Sequence, residues 1–428
     1  MPNFVHLGAM TIVAAALTCV GRASAQSSPS PSPSPSTSPK PTTSTAPAPA
    51  PSASATPFKL ITLSGYGDAG FTTIGLTDQV RFVNGTPSRI FDGANGAFFD
   101  ANGGRQLATR NDFNDTLNLQ NANVQLLLNG SVVSGKLEGS FGSDADVIAS
   151  NGQSRSGSNL TQAYLQAVRG PLTLIVGKFS SLAGAEVIEA PNNTNFSRSY
   201  LFGDAVPFTH TGARLTYAYN SKVSLIVGAN NGWDDWKFAG KKKTLEGAIV
   251  LTPSPGYALT LDTYNGNDFA LNGVLNGALT QYPVVTNRML YDGVLTVHPT
   301  SALTIIANYD NGTQLGDGIN TGPLAFATAH WNGIAGYANY QFNSRYGVSL
   351  RKESFGDTQG FRTGIPQRLQ SNTATINFTP GSNYIFRIEY RLDASDRPSF
   401  TYRGYNPATD MGRNHQSSLG VETVVKFP

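Results

Sequence analysis

From Phe58 onward the chain alternates. In 383–393, NYIFRIEYRLD, Tyr384, Phe386, Ile388, Tyr390 and Leu392 fall on one face, and Ile385, Arg387, Glu389, Arg391 and Asp393 on the other. A period of two is the signature of a β-strand with unlike faces. The same rule sorts 345–353, where Tyr346, Val348 and Leu350 oppose Arg345, Ser349, Arg351 and Glu353. It also sorts 132–141, where Val133, Leu137 and Phe141 oppose Ser134, Lys136, Glu138 and Ser140. In 301–309, Leu303, Ile305 and Tyr309 share a face. The last residues, SSLGVETVVKFP, place Leu419, Val421, Thr423, Val425 and Phe427 together. A soluble sheet would turn such an apolar face to a protein core. A membrane barrel would turn it to lipid and line a wet interior with the other face. One strand, 171–179 (PLTLIVGKF), is apolar on both faces until Lys178 and does not declare its lipid side.

The connections choose between these solvents. Short turns rich in Gly, Pro, Asn and Ser fall at 129–130, 169–171, 220–222, 252–256, 298–300, 343–344 and 379–382. Those residue types suit tight turns. Between the hairpins lie long polar segments at 77–116, 143–158, 180–207, 231–241, 266–287, 310–328, 355–367 and 394–412. Seven short turns alternating with eight long loops is the arithmetic of sixteen antiparallel strands with both termini on the short-turn side. The expected fold class is therefore all-β: a transmembrane antiparallel β-barrel of about sixteen strands, with short periplasmic turns and long extracellular loops. Aromatic residues beside the turns (Tyr217, Tyr219, Phe342, Tyr346, Tyr384) fit an interfacial girdle. No stretch keeps a helical period over three turns, and no apolar run after the N-terminus is long enough for a helical span.

Composition agrees. Only 13% of residues are charged and 45 are glycine. A net charge of +3 with no basic patch gives no reason to expect nucleic acid. Residues 1–25 read as a cleaved signal peptide, with an apolar run from Leu7 to Val20 and Ala23-Ser24-Ala25 as the cleavage site. The single cysteine, Cys19, lies inside it, so the exported chain is expected to have no disulfide. Residues 26–57 alternate Pro with Ser, Thr or Ala and read as a disordered periplasmic spacer, with a reach on the order of 100 Å if polyproline-like. A passive tether and a contact with cell-wall polymer both fit it. Residues 58–428 are expected to form the barrel. Asp100-Ala101-Asn102-Gly103-Gly104 begins like a calcium loop, but Asn111 stands where the closing Glu belongs, so a polar surface loop is the better reading. No cofactor is expected, and no metal. Neither is a catalytic site: there is no Gly-x-Ser-x-Gly elbow, and His210 between Thr209 and Thr211 reads as part of a loop-to-strand transition.

The strongest signal lies in 171–233. Its landmarks are Gly177-Lys178-Phe179, Gly184-Ala185-Glu186, Asn195-Phe196-Ser197-Arg198-Ser199, Pro207, His210-Thr211-Gly212 and Asn231-Gly232-Trp233-Asp234. In order and spacing this stretch resembles the OmpL-like outer-membrane beta-barrel porin family. The terminal SSLGVETVVKF also looks like a barrel-assembly signature, with Pro428 placed after its aromatic residue. The resemblance implies a non-enzymatic pore for small hydrophilic solutes and ions, in the outer membrane of a diderm bacterium. It also implies lipid around the barrel, and a homotrimer as one open assembly.

In similar porins the third long loop folds inward, and here that loop is 180–207. It carries Glu186, Glu189 and Asp204 against Arg198, and these are the expected constriction residues. The facing wall charges are expected to be Lys136, Glu138, Arg214, Arg351, Glu353, Arg387, Glu389 and Arg391. Acids on the loop facing bases on the wall would set a field across the opening. The competing arrangement lays the loop over the barrel mouth with its charges in water. An envelope tether built on the Ser/Pro segment is the alternative function.

Overall fold

The strands form where alternation is densest, and the register of each follows from keeping its apolar residues on one side. The computed structural model describes residues 61–427, less 75–115, 151–152, 154–155, 238–242, 271–273, 276–277, 280–283, 319–326, 364–365 and 401–412. The expected signal peptide, the Ser/Pro spacer and the Asp100–Gly104 fragment lie outside the described residues.

In chain order the strands are β1 (Ile61–Ile74), β2 (Thr116–Leu128), β3 (Val133–Phe141), β4 (Ser158–Arg169), β5 (Leu172–Ser180), β6 (Thr209–Asn220), β7 (Val223–Asn230) and β8 (Thr244–Ser254). They continue as β9 (Tyr257–Ala270), β10 (Val284–Val297), β11 (Leu303–Gly318), β12 (Ala327–Gln341), β13 (Tyr346–Asp357), β14 (Gln367–Gly381), β15 (Tyr384–Ser395) and β16 (His415–Phe427). Each pairs with the next, and β1 pairs antiparallel with β16, from Gly65 opposite Phe427 to Ile74 opposite Ser418. The sheet is closed, so every strand has two partners and no edge is left. A minor ladder joins Val274–Leu275 to Ala278–Leu279 within the β9–β10 connection.

The faces are inverted relative to a soluble protein. In β15, Tyr384, Phe386, Ile388, Tyr390 and Leu392 are exposed, whereas Arg387, Glu389, Arg391 and Asp393 are each at most 3% exposed. The same holds in β13, where Leu350 is half exposed and Arg351 and Glu353 are buried. Lipid on the outside rationalises this, because a charge on that face costs about 2–4 kcal/mol at the bilayer midplane. At the short-turn rim aromatic rings associate: Tyr217 with Tyr219 at 6.4 Å, Tyr340 with Phe342 at 5.1 Å, and Tyr346 with the half-buried Phe378 at 4.9 Å.

Strand β5 acquires its faces from its neighbours. Leu172, Leu174 and Val176 point outward in register with Tyr217, Leu215 and Ala213 of β6. Thr173 and Ile175 lie on the other face, opposite Thr216 and Arg214. Ile175 is an apolar residue on the inner side, and that is why the isolated strand was ambiguous.

Candidate functional site: a segment folded inside the barrel

A wall of sixteen strands encloses space enough for an aqueous channel. Part of that space is filled by the chain itself. Residues 181–208 link β5 to β6, and Leu182, Phe196, Arg198, Tyr200, Leu201, Asp204 and Val206 within them are all buried. The segment is closed at its base by Ser181 N–H donating to Phe208 O at 2.9 Å. It has little regular structure, only a turn at Ala190–Asn192 and a wide helical turn at Leu201–Ala205. Irregular backbone at membrane depth is tolerated only where protein or water satisfies its polar groups. Here protein side chains do much of that work.

The entry is held by β9, β10 and β11. Leu182 N–H donates to the Tyr264 hydroxyl at 3.1 Å, Gly184 N–H to Asp292 Oδ1, and Ala185 N–H to Asn308 Oδ1 at 3.1 Å. Gly184 has φ +90, a conformation that favours glycine at this turn.

The centre is held by β13, β14 and β15. Glu389 accepts from the amides of Phe196 and Ser197 at 2.7 and 3.0 Å. Glu353 accepts from Tyr200 N–H at 2.6 Å, and Asp393 from the Tyr200 hydroxyl at 2.8 Å. Asn195 Nδ2 donates to Thr375 Oγ1 at 2.7 Å. Arg351 donates to Ser197 O at 2.6 Å and Arg391 to Arg198 O at 2.8 Å. The Phe196 ring sits against glycines of the wall. A Cβ at Gly70 or Gly420 would come within 2.7 or 2.6 Å of it.

The exit is held by aromatic residues and one arginine. Trp331 Nε1–H donates to Ala205 O at 3.0 Å, and Arg362 Nε–H to Asp204 O at 2.5 Å. The Arg362 guanidinium also lies 5.1 Å from the Trp233 ring and 5.5 Å from the Trp331 ring. An apolar cluster joins Tyr200, Leu201, Ala205 and Val206 of the segment to Trp233, Tyr264, Leu290, Trp331 and Phe355. Further along the barrel interior, Ile188, Phe202 and Phe208 pack on Val147 and Ile148, at and just past a short helix, Ser143–Val147.

The residues singled out from the sequence meet here, mostly in contact. Glu186 Oε1 lies 2.7 Å from Arg351 Nη1, while its Oε2 accepts from Ser199 N–H and Oγ–H at 2.6 and 2.8 Å. Glu189 lies 3.6 Å from Lys136, which is 2.6 Å from Glu138. Arg198 binds within the segment, donating to the carbonyls of Val187, Phe196 and Ile188 at 3.1–3.2 Å. The Asp204 carbonyl receives Arg362. On the wall, Arg214 pairs with Glu246 at 2.7 Å, Arg387 with Glu422 at 2.5 Å, and Arg391 with Asp393 at 2.6 Å. Acids and bases therefore touch instead of facing each other across an open gap. Charges in contact largely cancel each other's far field. His210 sits at the start of β6 with Nδ1 3.2 Å from Gly232 O, stacked on Tyr264 at 4.7 Å.

Sequence reasoning did not single out Glu246, Asp292, Asn308, Trp331, Arg362 or Glu422. Each inward carboxylate had a signal in strand alternation, Glu422 between Val421 and Thr423 above all. Trp331 and Arg362 had none, since their roles depend on a partner more than 120 residues away.

Residues 91–427 match the family described as "Putative beta-barrel porin-2, OmpL-like". No curated protein matches in sequence. Among solved structures, the chain is similar to the outer membrane channel DcaP of Acinetobacter baumannii, with 12% identity, 86% of this chain and 97% of that one covered, and TM-score 0.51. It is similar to the trimer form of OmpT, an outer membrane protein of Vibrio cholerae, with 11% identity, 86% and 99% covered, and TM-score 0.54. It is also similar to an anion-selective porin from Comamonas acidovorans, with 10% identity, 86% and 99% covered, and TM-score 0.53. At these identities the solved structures speak for the barrel alone.

Proposed function

The chain belongs to the OmpL-like beta-barrel porin family, and on that premise we propose that it is an outer-membrane channel for passive diffusion of small hydrophilic solutes and ions, narrowed by the segment 180–207. The family accounts for the outer membrane and the channel class. The narrowing rests on one observation: the segment lies inside a closed barrel and is hydrogen-bonded to β9–β11 on one side and β13–β15 on the other. A lumen spanned in this way admits only what fits beside the segment, and many of the inward wall side chains are polar or charged.

Glu186, Glu189, Arg198 and Asp204 act in this reading by fixing the shape of the segment. Lys136, Glu138, Arg214, Arg351, Glu353, Arg387, Glu389 and Arg391 act by holding it and by keeping the wall wettable. Lipid surrounds the apolar belt, and the short-turn end faces the periplasm. A trimer, the form recorded for one structurally similar protein, is an assembly to test by crosslinking in native membranes. The reading of the channel itself is tested by planar-bilayer recording. Stepwise, long-lived conductance supports it; a folded, detergent-stable protein that carries no current refutes it.

A further inference from the structure

We propose that a polar stripe on the outer face of β13 and β14 binds the anionic phosphate headgroup of a lipid in the outer leaflet. The outward positions of these two strands change character along their length. Near the short turns they are apolar and exposed: Tyr346 and Leu350 on β13, Ile376 on β14. Towards the long loops they become Lys352 and Ser354 on β13, and Asn372, Gln370 and Arg368 on β14. Ser354 is half-buried and the other four are exposed. The register gathers them: Lys352 is opposite Asn372, Ser354 opposite Gln370, and Gly356 opposite Arg368. Arg368 turns into the stripe, its Nη1 donating to Ser354 Oγ at 3.3 Å. Asp396, just past β15, accepts from the Arg368 backbone N–H at 2.8 Å. Gly336 of β12, opposite Lys352, has nothing within 4 Å of where a Cβ would stand, so the flank of the lysine is open.

The stripe lies within the lipid belt. At about 3.4 Å per residue and a tilt of about 40°, Lys352 stands about 16 Å above Tyr346 of the short-turn girdle, and the Gly356–Arg368 pair about 26 Å above it. The apolar band of such a barrel is about 25 Å tall. At these levels the flanking strands stay apolar. Ile334 of β12, opposite Ser354, is 41% exposed, and Leu392 of β15, opposite Asn372, is 44% exposed. A lysine at that depth bends its ammonium towards the nearer interface. Here that path leads past Ser354 and Gln370 to Arg368.

Charge selects the occupant. Among strand residues whose side chains are described, the exposed lysines and arginines are these two and Arg169, the last residue of β4 at the opposite rim. Every acidic side chain so described in the strands is buried. The wall of a second copy would therefore bring no counter-charge to the stripe. A lipid phosphate brings one at the level of the interface, and its oxygens accept from the guanidinium, the ammonium and the side-chain amides together. Its acyl chains would lie along Ile334 and Leu392. That the leaflet is the outer one rests on the orientation proposed above, with the short turns in the periplasm.

The test is a lipid titration of the folded full chain in detergent, read by native mass spectrometry, with phosphatidylglycerol and phosphatidylcholine as probes. The wild type is expected to bind phosphatidylglycerol about thirtyfold more tightly, at about a factor of five for each of two cations. In Lys352→Gln/Arg368→Gln the preference is expected to fall below about threefold, with heat-modifiable migration still reporting a folded barrel. Lys352→Leu alone, which suits a lipid-facing position, serves if the pair does not fold, with a loss of about fivefold. Arg169→Gln/Arg345→Gln removes the same charge at the short-turn rim and is expected to keep the preference. A wild type without preference overturns the proposal. So does a stripe variant that keeps the preference, or a rim variant that loses it as fully, because the lipid is then held by the loops or by net charge. Displacement of phosphatidylglycerol by an equal concentration of inorganic phosphate assigns the stripe to a free anion and overturns the lipid. Planar-bilayer current tests the channel reading and this titration does not depend on it, so the two fail separately.

Discussion

Replacing Arg351 by alanine should release the inner segment while leaving the barrel closed. The Arg351 guanidinium is fully buried and touches the segment at Glu186 Oε1 (2.7 Å), Ser197 O (2.6 Å) and Ser197 Oγ (3.1 Å). It also lies 3.6 Å from Glu353, which holds the Tyr200 amide. Removing one partner of a buried, hydrogen-bonded pair costs about 3–5 kcal/mol, because the remaining carboxylates keep their desolvation cost and lose their counter-charge. No ladder hydrogen bond of β13 involves this side chain, so the cost should fall on docking of the segment. At about 1.4 kcal/mol per decade, the segment should open from roughly one hundred to a few thousand times more often. A single-cysteine reporter reads this directly. The chain has one cysteine, Cys19, and Ala190, 1% exposed, accepts a thiol in a Cys19→Ser background. The maleimide labelling rate at residue 190 should rise by that factor in Arg351→Ala, with heat-modifiable migration unchanged. A rise of less than about tenfold, in a barrel that is still folded, would refute the claim that this pair secures the segment.

The other predictions probe separate parts of the architecture. Glu389→Gln keeps the shape but weakens two charge-assisted bonds to the Phe196 and Ser197 amides, so the same labelling rate should rise about tenfold, at roughly 1–2 kcal/mol. Ile388→Lys places a charge on the exposed face between Arg387 and Glu389, and should lower refolding stability in lipid vesicles by about 2–4 kcal/mol in a urea titration. Gly177→Ala should slow or prevent refolding of β5. Gly177 has φ +131, and a Cβ there would stand 2.2 Å from the Ala163 carbonyl oxygen; backbone strain alone costs about 1–3 kcal/mol.

How far the fold could be read depended on how hard each face is constrained. Lipid enforces an apolar exterior, so β15 and β13 showed both faces in their sequence, charges included. Turns were equally legible, because Asn129-Gly130 or Pro380-Gly381 carries its conformation in its own residues. In β5 the constraint is one-sided. Lipid demands Leu172, Leu174 and Val176, but nothing forbids Ile175 facing inward. There only the register with β6 assigns the faces. The wall charges were legible by the same alternation, and Lys136, Glu138, Arg214, Arg351, Glu353, Arg387, Glu389 and Arg391 all stand on the inner side, buried or nearly so.

Contact between those charges was not legible, and the reason is physical. Alternation tells which solvent a side chain avoids, but not which backbone group it meets. Glu389 is nearly two hundred residues from the amides it holds, at |i−j| 193 and 192, and Arg362 is 158 from the Asp204 carbonyl. A buried irregular segment has no ladder of its own to satisfy its amides and carbonyls. In a soluble protein such a loop would be excluded from the interior. In this barrel the inward wall face is free of the apolar requirement, so charged residues there act as the missing partners. Arginines take the carbonyls of Ser197 and Arg198, and glutamates take the amides of Phe196, Ser197 and Tyr200. The charge density of β13–β15 is therefore tied to the segment it holds as much as to the water of a pore. On the proposed reading, the same side chains that make the lumen polar would also set how much of it stays open.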